Sequence, residues 1–123
     1  MAISFSEDDG YHWTEPCAMD HPGVFPGLTL LENGVLVLGY GRPGAHLIFS
    51  ADGKGNSWSE PLTLRVGDPD QWLTKTCGYL SVLPLNDYSF LVAYSDFEYT
   101  DNDGKQRKAI LVNRITVTKI SHQ

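Results

Sequence analysis

Carboxylates and hydroxyls recur at fixed spacing in two short peptides of this chain. Residues 6–13 read SEDDGYHW and residues 50–58 read SADGKGNSW, so both peptides carry Ser, Asp, Gly and Trp in the same order. Asp8 and Asp52 are potential catalytic carboxylates, but Asp and Ser in a Gly-containing segment can also hydrogen-bond the backbone of a tight turn. Gly allows the turn and Trp packs on the strands, so a fold-making role outweighs a catalytic one. The residues given that role are Ser6, Asp8, Gly10, Trp13, Ser50, Asp52, Gly55 and Trp58.

The stretch Asp-Asn-Asp-Gly at residues 101–104 has the composition of a calcium-binding loop. Tyr99 occupies the first ligand position of that pattern and Ile110 the twelfth, so the pattern fails. We predict a hairpin tip there instead. Its acidic side carries Asp96 and Glu98, and its basic side carries Lys105, Arg107 and Lys108.

Other metal and cofactor motifs are missing from the sequence. The histidines, which show no zinc-binding spacing, are His12, His21, His46 and His122. There is no P-loop, dinucleotide-binding motif or G-x-S-x-G motif, so we predict no metal and no cofactor. Cys17 and Cys77 match no metal spacing and are either a disulfide or two unrelated buried thiols.

These peptides must be positioned by β-strands, because no helical period is sustained along the chain. A Glu-Asn-Gly turn at residues 32–34 separates two apolar runs, which is typical of a hairpin. The second run, VLVLGYG, is nearly all apolar and fits a strand covered on both faces. The predicted strands cover residues 27–31, 35–41, 45–50 and 58–64 in one unit, then 79–83, 89–94 and 108–117 in the next.

The repeat distance indicates the architecture. The two Ser residues lie 44 positions apart and the two Trp residues 45, which is the period of a propeller blade. We predict an all-β fold, a partial β-propeller of about two to two and a half four-stranded antiparallel blades. Residues 1–20 end one blade, residues 21–66 form a complete blade, and residues 67–123 form most of a third.

A propeller closes with about 4–8 blades, so this chain is too short to close alone. An open fragment leaves unpaired strand edges and bare apolar faces. We therefore expect a homo-oligomer, with a trimer that completes six blades favoured and exchange of half-blades as its mechanism. The start of the chain directly in the first repeat suggests a piece of a larger product.

Composition excludes several partners. The 123 residues carry a formal net charge of −6, which disfavours binding to nucleic acid or to an anionic membrane. No apolar run approaches the length of a membrane span, and residues 1–5 do not read as a signal peptide. We predict no nucleic-acid and no membrane partner, while the native compartment stays open because a signal could lie upstream.

Because it carries two Ser-x-Asp peptides at the spacing of a blade, the chain resembles the Asp-box (BNR repeat) family of six-bladed sialidase-like propellers. The resemblance covers nearly the whole chain and matches the last two or so blades of that fold. It implies that a parent protein is a retaining glycoside hydrolase with a Tyr nucleophile. Its partner would be a carbohydrate or glycoconjugate with a terminal sialic-acid-like or other sugar. The isolated chain is expected to be inactive.

The resemblance implies a functional role for two residues, one in binding substrate and one in catalysis. Arg42 lies eight positions before Ser50, where sialidases carry an Arg that binds the substrate carboxylate, as a planar guanidinium can do bidentately. Tyr79, in CGYLSVLP at residues 77–84, matches the strand that carries the nucleophile. A phenol needs a base because its free pKa is about 10. The family's Glu base, Asp acid and two further Arg residues have no counterpart here.

Alternatives remain for each of these residues. Arg42 is also suited to anchoring a loop, and Tyr79 to an ordinary place in a strand. Trp72, in the loop DPDQW at residues 68–72, is suited either to stacking on a sugar or to covering the core. Two other functions stay open, a non-catalytic propeller that binds glycan or protein and an inactive scaffold fragment, because fold alone does not fix function.

Overall fold

The apolar runs of the sequence become nine β-strands in the computed structural model, which describes residues 1–120. The strands are β1 (Ala2–Ile3), β2 (Cys17–Ala18), β3 (Val24–Leu30), β4 (Leu36–Gly41), β5 (Ala45–Ser50), β6 (Leu62–Arg65), β7 (Leu80–Pro84), β8 (Ser89–Thr100) and β9 (Gln106–Thr116). They form three antiparallel sheets, ordered β1–β2, β3–β4–β5–β6 and β7–β8–β9. Residues 1–120 contain no helix, so the predicted all-β class is confirmed.

The two largest differences from the predicted strand boundaries concern the fourth and sixth predicted strands. The fourth strand of the complete unit begins at Leu62 rather than at Trp58, because the Phe49 N–H donates to the Ser59 hydroxyl instead of a backbone carbonyl and Pro61 has no N–H for a ladder. The strand predicted to end at residue 94 continues to Thr100 and forms a long hairpin with β9. The predicted span 45–50 is confirmed.

The N-terminal hairpin repeats the outer half of the four-stranded sheet. Residues of β1 align with those of β5 at an offset of 44, and residues of β2 with those of β6 at 45. The equivalent Cα partners are Ile3–Cys17 with Leu47–Leu62, and Ala2–Ala18 with His46–Thr63. The repeat found in the sequence is therefore also a repeat of strand pairing.

The four-stranded sheet lies between the other two sheets. One of its faces packs on the three-stranded sheet through a core of Leu31, Val35, Val37, Leu47, Phe90 and Val92. Its other face, with Leu38, Tyr40 and Ile48, packs against Met1, Met19 and Trp58 on the side of the N-terminal hairpin. The all-apolar run of β4 is buried on both faces, as its sequence predicts.

Both Ser-x-Asp peptides fold into the same hydrogen-bonded turn. Ser6 Oγ accepts the Gly10 N–H at 2.9 Å, and Ser50 Oγ accepts the Gly55 N–H at 3.0 Å. Each Ser hydroxyl also donates to Oδ1 of its Asp, at 2.9 and 3.0 Å. The glycines have φ angles of 90° and 75°, a region that L side chains resist.

Each of the two carboxylates accepts hydrogen bonds from its own turn. Asp8 Oδ1 accepts the His12 N–H at 2.8 Å, and Asp52 Oδ1 accepts the Lys54 N–H at 2.9 Å. These backbone hydrogen bonds are the main reason that the pKa of each carboxyl lies below its usual value. The Trp rings lie over the glycines of the turns, as expected for fold-making residues.

The hairpin tip at residues 101–104 is present, but its charges pair differently from the prediction. Asp101 accepts hydrogen bonds from the Lys105 N–H and from Arg107 Nε, both at 2.9 Å. Asp96 and Glu98 do not face the basic side of the hairpin. Both carboxylates form ion pairs with Arg65 of β6 instead: Nε lies 3.1 Å from Asp96 Oδ1, and Nη2 lies 2.5 Å from Glu98 Oε2. The Nε contact lacks the alignment of a hydrogen bond. These ion pairs link the four-stranded sheet to the three-stranded sheet.

The cysteines are both free thiols. Cys17 is exposed, which corrects the expectation that it is buried, and Cys77 is half-buried. Cys17 stands at the start of the very short β2, whose outer side no strand covers. Residues 1–120 hold no group of three or more His, Cys, Asp and Glu side chains that could bind a metal ion, and His122 lies outside the described residues.

Removing one Ser hydroxyl tests the turn. In Ser50→Ala the buried N–H of Gly55 loses its acceptor, so we expect unfolding in urea to require about 1–3 kcal/mol less free energy. Ser6→Ala is the matched control, because the same bond is exposed there and water can replace it. Equal losses in the two variants would contradict this role of burial.

Acid should weaken the second turn. The pKa of Asp52 is depressed in the folded chain, so the unfolded chain binds more protons once the pH falls below the ordinary carboxyl pKa of 3.8. Stability is present above that value and is lost as the pH falls through the lower folded pKa. Asp52→Asn should therefore show a smaller drop in melting temperature than wild type in this range, and an equal drop would contradict this role of Asp52.

Candidate functional site

Two glycines bring the candidate residues together. Gly41 ends β4 and Gly78 precedes β7, and their backbones approach so closely that a Cβ on Gly41 would lie 1.8 Å from the Gly78 carbonyl oxygen. No other residue fits this contact. The turn after β4, which carries Arg42, is therefore held directly against the segment that carries Tyr79.

Arg42 and Tyr79 form a hydrogen-bonded pair. Arg42 Nη2 donates to the Tyr79 hydroxyl at 2.7 Å, and Nε donates to the Cys77 carbonyl at 3.3 Å. The guanidinium carbon lies 4.8 Å from the centre of the Tyr79 ring, within cation–π range. The ring of Phe25 meets Tyr79 edge-on at 4.5 Å. The phenol is 43% exposed and is not buried between the sheets.

Arg42 has an unusual backbone for a residue with a side chain. Its φ is 61°, a conformation that costs free energy and that recurs at functional sites. Its own N–H donates to the Gly44 carbonyl at 3.1 Å, and Nε2 of His46 lies 2.7 Å from the Pro43 carbonyl oxygen. These contacts fix the backbone of the turn, whereas the guanidinium itself is oriented by its hydrogen bonds to Cys77 and Tyr79.

Arg42 and Trp72 line one shallow depression of about 660 Å³, together with Pro69–Thr74. The Trp72 indole donates to the Pro69 carbonyl at 2.6 Å, which fixes the orientation of an exposed ring. Tyr79 lines a different hollow of about 220 Å³ beside Cys77 and Ser81. Arg42 thus stands next to both aromatic residues, but these do not share one hollow.

A small polar network supports the Tyr79 segment and was not found from the sequence. The hydroxyls of Thr76 and Ser95 lie 2.9 Å apart, and both residues are buried. Ser95 Oγ accepts the Cys77 N–H at 2.9 Å, and Thr76 Oγ1 accepts the Gly78 N–H at 3.2 Å. The Gly before Tyr79 was the one visible signal of a special backbone here.

Among residues 1–120, no hydrogen-bond partner of Tyr79 could act as its base. Its hydroxyl forms no hydrogen bond to a carboxylate of these residues, and it accepts one from the cationic Arg42. A guanidinium donates protons but does not accept them. The described site can therefore hold an anion next to aromatic rings, whereas it lacks the proton acceptor that attack by a phenol requires.

The chain matches no protein-family model, no curated protein and no solved structure. None of the described residues forms a helix that is long and apolar enough to cross a membrane.

A Cβ at Gly78 should disturb Arg42. Gly78→Ala places a methyl group 2.7 Å from Arg42 Cγ on a residue with φ of 74°. Gly104→Ala is the matched control, because that residue has φ of 78° and open space around it. We expect both variants to lose about 1–3 kcal/mol of unfolding free energy from backbone strain, and Gly78→Ala to lose more. Equal losses in urea titrations would show that the Gly78 contact is unimportant.

Proposed function

We propose that the chain binds the carboxylate of an acidic sugar at Arg42, as part of a sialidase-like partial propeller. One observation carries this proposal: Arg42, which is hydrogen-bonded to Tyr79, lines an open depression that Trp72 also lines. A cation beside exposed aromatic rings suits a ligand that has both an anionic group and an apolar sugar face.

The charge of Arg42 is available to a ligand. Among residues 1–120, Arg65 and Arg107 form ion pairs with carboxylates, but Arg42 forms none. A guanidinium has five N–H donors, and the recorded contacts of Arg42 use two of its nitrogens, Nε and Nη2. The remaining donors leave room for a carboxylate at this fixed, strained turn.

Trp72 supplies the second element of recognition. Its ring is anchored by its own indole hydrogen bond and lines the same depression as Arg42. A sugar that places its carboxylate on Arg42 could therefore lay its ring over this indole. Asp70 lines the depression too, and its negative charge would oppose an anionic ligand.

The partial propeller is supported by the stacking of three sheets and by the repeat of strand pairing between the first and second sheets. In an intact sialidase-like hydrolase, Tyr79 would be the nucleophile and Arg42 would support its phenolate. The base, the acid and further Arg residues would have to come from outside this chain. We therefore assign binding, not hydrolysis, to the isolated chain.

A titration with a methyl sialoside tests the site. We expect Arg42→Ala to weaken binding about tenfold or more, since hydrogen bonds to charged groups contribute about 1.5–3 kcal/mol. Trp72→Ala should weaken binding about threefold to tenfold, through lost stacking. Asp70→Asn should strengthen it. Ligand-observed NMR or calorimetry measures all three effects.

The matched ligand for this titration is the methyl ester of the same sialoside, which lacks the negative charge and should bind weakly to every variant. The matched protein control is Arg107→Ala, which removes an Arg far along the β8–β9 hairpin. Equal binding of acid and ester, or no effect of Arg42→Ala, would exclude a carboxylate site. Release of free sugar by the wild-type chain, lost in Tyr79→Phe, would show instead that the chain is itself an enzyme.

A further inference from the structure

The outer face of the three-stranded sheet carries an apolar surface that no described residue covers. In β8, Phe90 and Val92 face the four-stranded sheet and are fully buried. The alternate positions face outward: Val112 pairs with Ala93, and Ala93 pairs with Ser81. Val112 is 58% exposed. We call Leu83, Ile110 and Val112 the tail surface.

A second apolar surface lies on the opposite side of the stack. Leu28 and Leu30 pair with Leu38 and Leu36 of β4, and Leu38 belongs to the face that packs against the N-terminal hairpin. That hairpin is only two strands wide and leaves β3 uncovered, so Leu28 stays 57% exposed. Leu28 and Leu30 form what we call the head surface.

Trp13 and Trp58 are equivalent residues of the internal repeat, but only Trp58 is covered by neighbouring side chains. Trp58 holds the equivalent place in its turn, and it is half-buried where Met1 and Met19 pack on the same side of the sheet. Trp13 has the same contact with its turn glycine but is 63% exposed. A further sheet packed on the exposed side of the N-terminal hairpin would bury Trp13 to the same extent as Trp58.

The two ends also differ in charge. Residues 1–20 hold five acidic side chains and no Lys or Arg, whereas residues 105–119 hold five basic side chains and no acid. The acidic set is Glu7, Asp8, Asp9, Glu15 and Asp20, and the basic set is Lys105, Arg107, Lys108, Arg114 and Lys119. The tail unit as a whole, residues 67–120, is close to neutral, because seven acidic side chains offset six basic ones. On the tail surface itself, Arg114 shares a face of β9 with Ile110 and Val112, and this local positive charge favours contact with the acidic first unit.

We propose that the tail surface of one copy docks on the head surface of a second copy. The two surfaces of a single chain lie on opposite sides of the four-stranded sheet and therefore cannot meet. Such head-to-tail contact is heterologous, so it closes a ring if the rotation permits or otherwise extends a filament. The contact repeats the stacking by which the three sheets of one chain already cover one another.

Light scattering tests the proposal on the full chain. We expect wild type to exceed the monomer mass of 13.7 kDa, with three times that mass favoured. In a six-bladed ring, a trimer would mean that each copy fills two blade positions, because the N-terminal hairpin of one copy shares a position with the three-stranded sheet of its neighbour. A dimer would mean that each copy fills three positions, one for each of its sheets. Either mass supports the docking. A monomer at high micromolar concentration would overturn the proposal.

Two variants separate head from tail. Leu28→Asp blocks the head and Val112→Asp blocks the tail, so each should be a folded monomer by circular dichroism and scattering. Mixed together, they should form a dimer of fixed size, because one intact head and one intact tail remain. Val66→Asp is the matched control: Val66 is 63% exposed, belongs to neither surface and should leave assembly unchanged. A mixture that stays monomeric, or a Val66→Asp that dissociates, would contradict head-to-tail docking.

Discussion

Burial of both faces of the four-stranded sheet is the constraint on which the rest of this structure depends. The strand β4 is apolar along almost its whole length, so neither of its faces can be left in water without a large loss of hydrophobic free energy. The N-terminal hairpin covers one face and the three-stranded sheet covers the other. Each of these two covering sheets has an outer side on which no other sheet of residues 1–120 packs.

The same stacking creates the candidate site. The sheets can lie close at the end of β4 only because Gly41 meets Gly78 without side chains. That contact fixes the turn with Arg42 beside the segment with Tyr79, although 37 positions separate the two residues along the chain. The geometry of the site is thus a consequence of sheet packing, and loss of the glycine contact would disturb both together.

Much of the fold could be predicted from the sequence, because its signals are local. The Asn-Gly turn, the all-apolar β4 and the repeated Ser-x-Asp turns each depend on residues that are near one another in the chain. The pairing of Asp96 with Arg65 could not be predicted, since it depends on which sheets stack. The network of Thr76 and Ser95 is hidden for the same reason, because isolated hydroxyls carry no pattern.

The chemistry of the candidate site depends on which groups the carboxylates of the chain bind. Asp8 and Asp52 accept hydrogen bonds from backbone N–H groups. Asp101 and Asp96 pair with Arg107 and Arg65. Within residues 1–120, no carboxylate is hydrogen-bonded to Tyr79. What remains near the phenol is the positive charge of Arg42 and exposed aromatic surface. A cationic site of this kind attracts and holds an anion, but it offers no group to take the proton of the phenol. The proposed binding at Arg42 therefore needs only residues of this chain, whereas attack by the Tyr79 phenol would require a proton acceptor brought in by another surface.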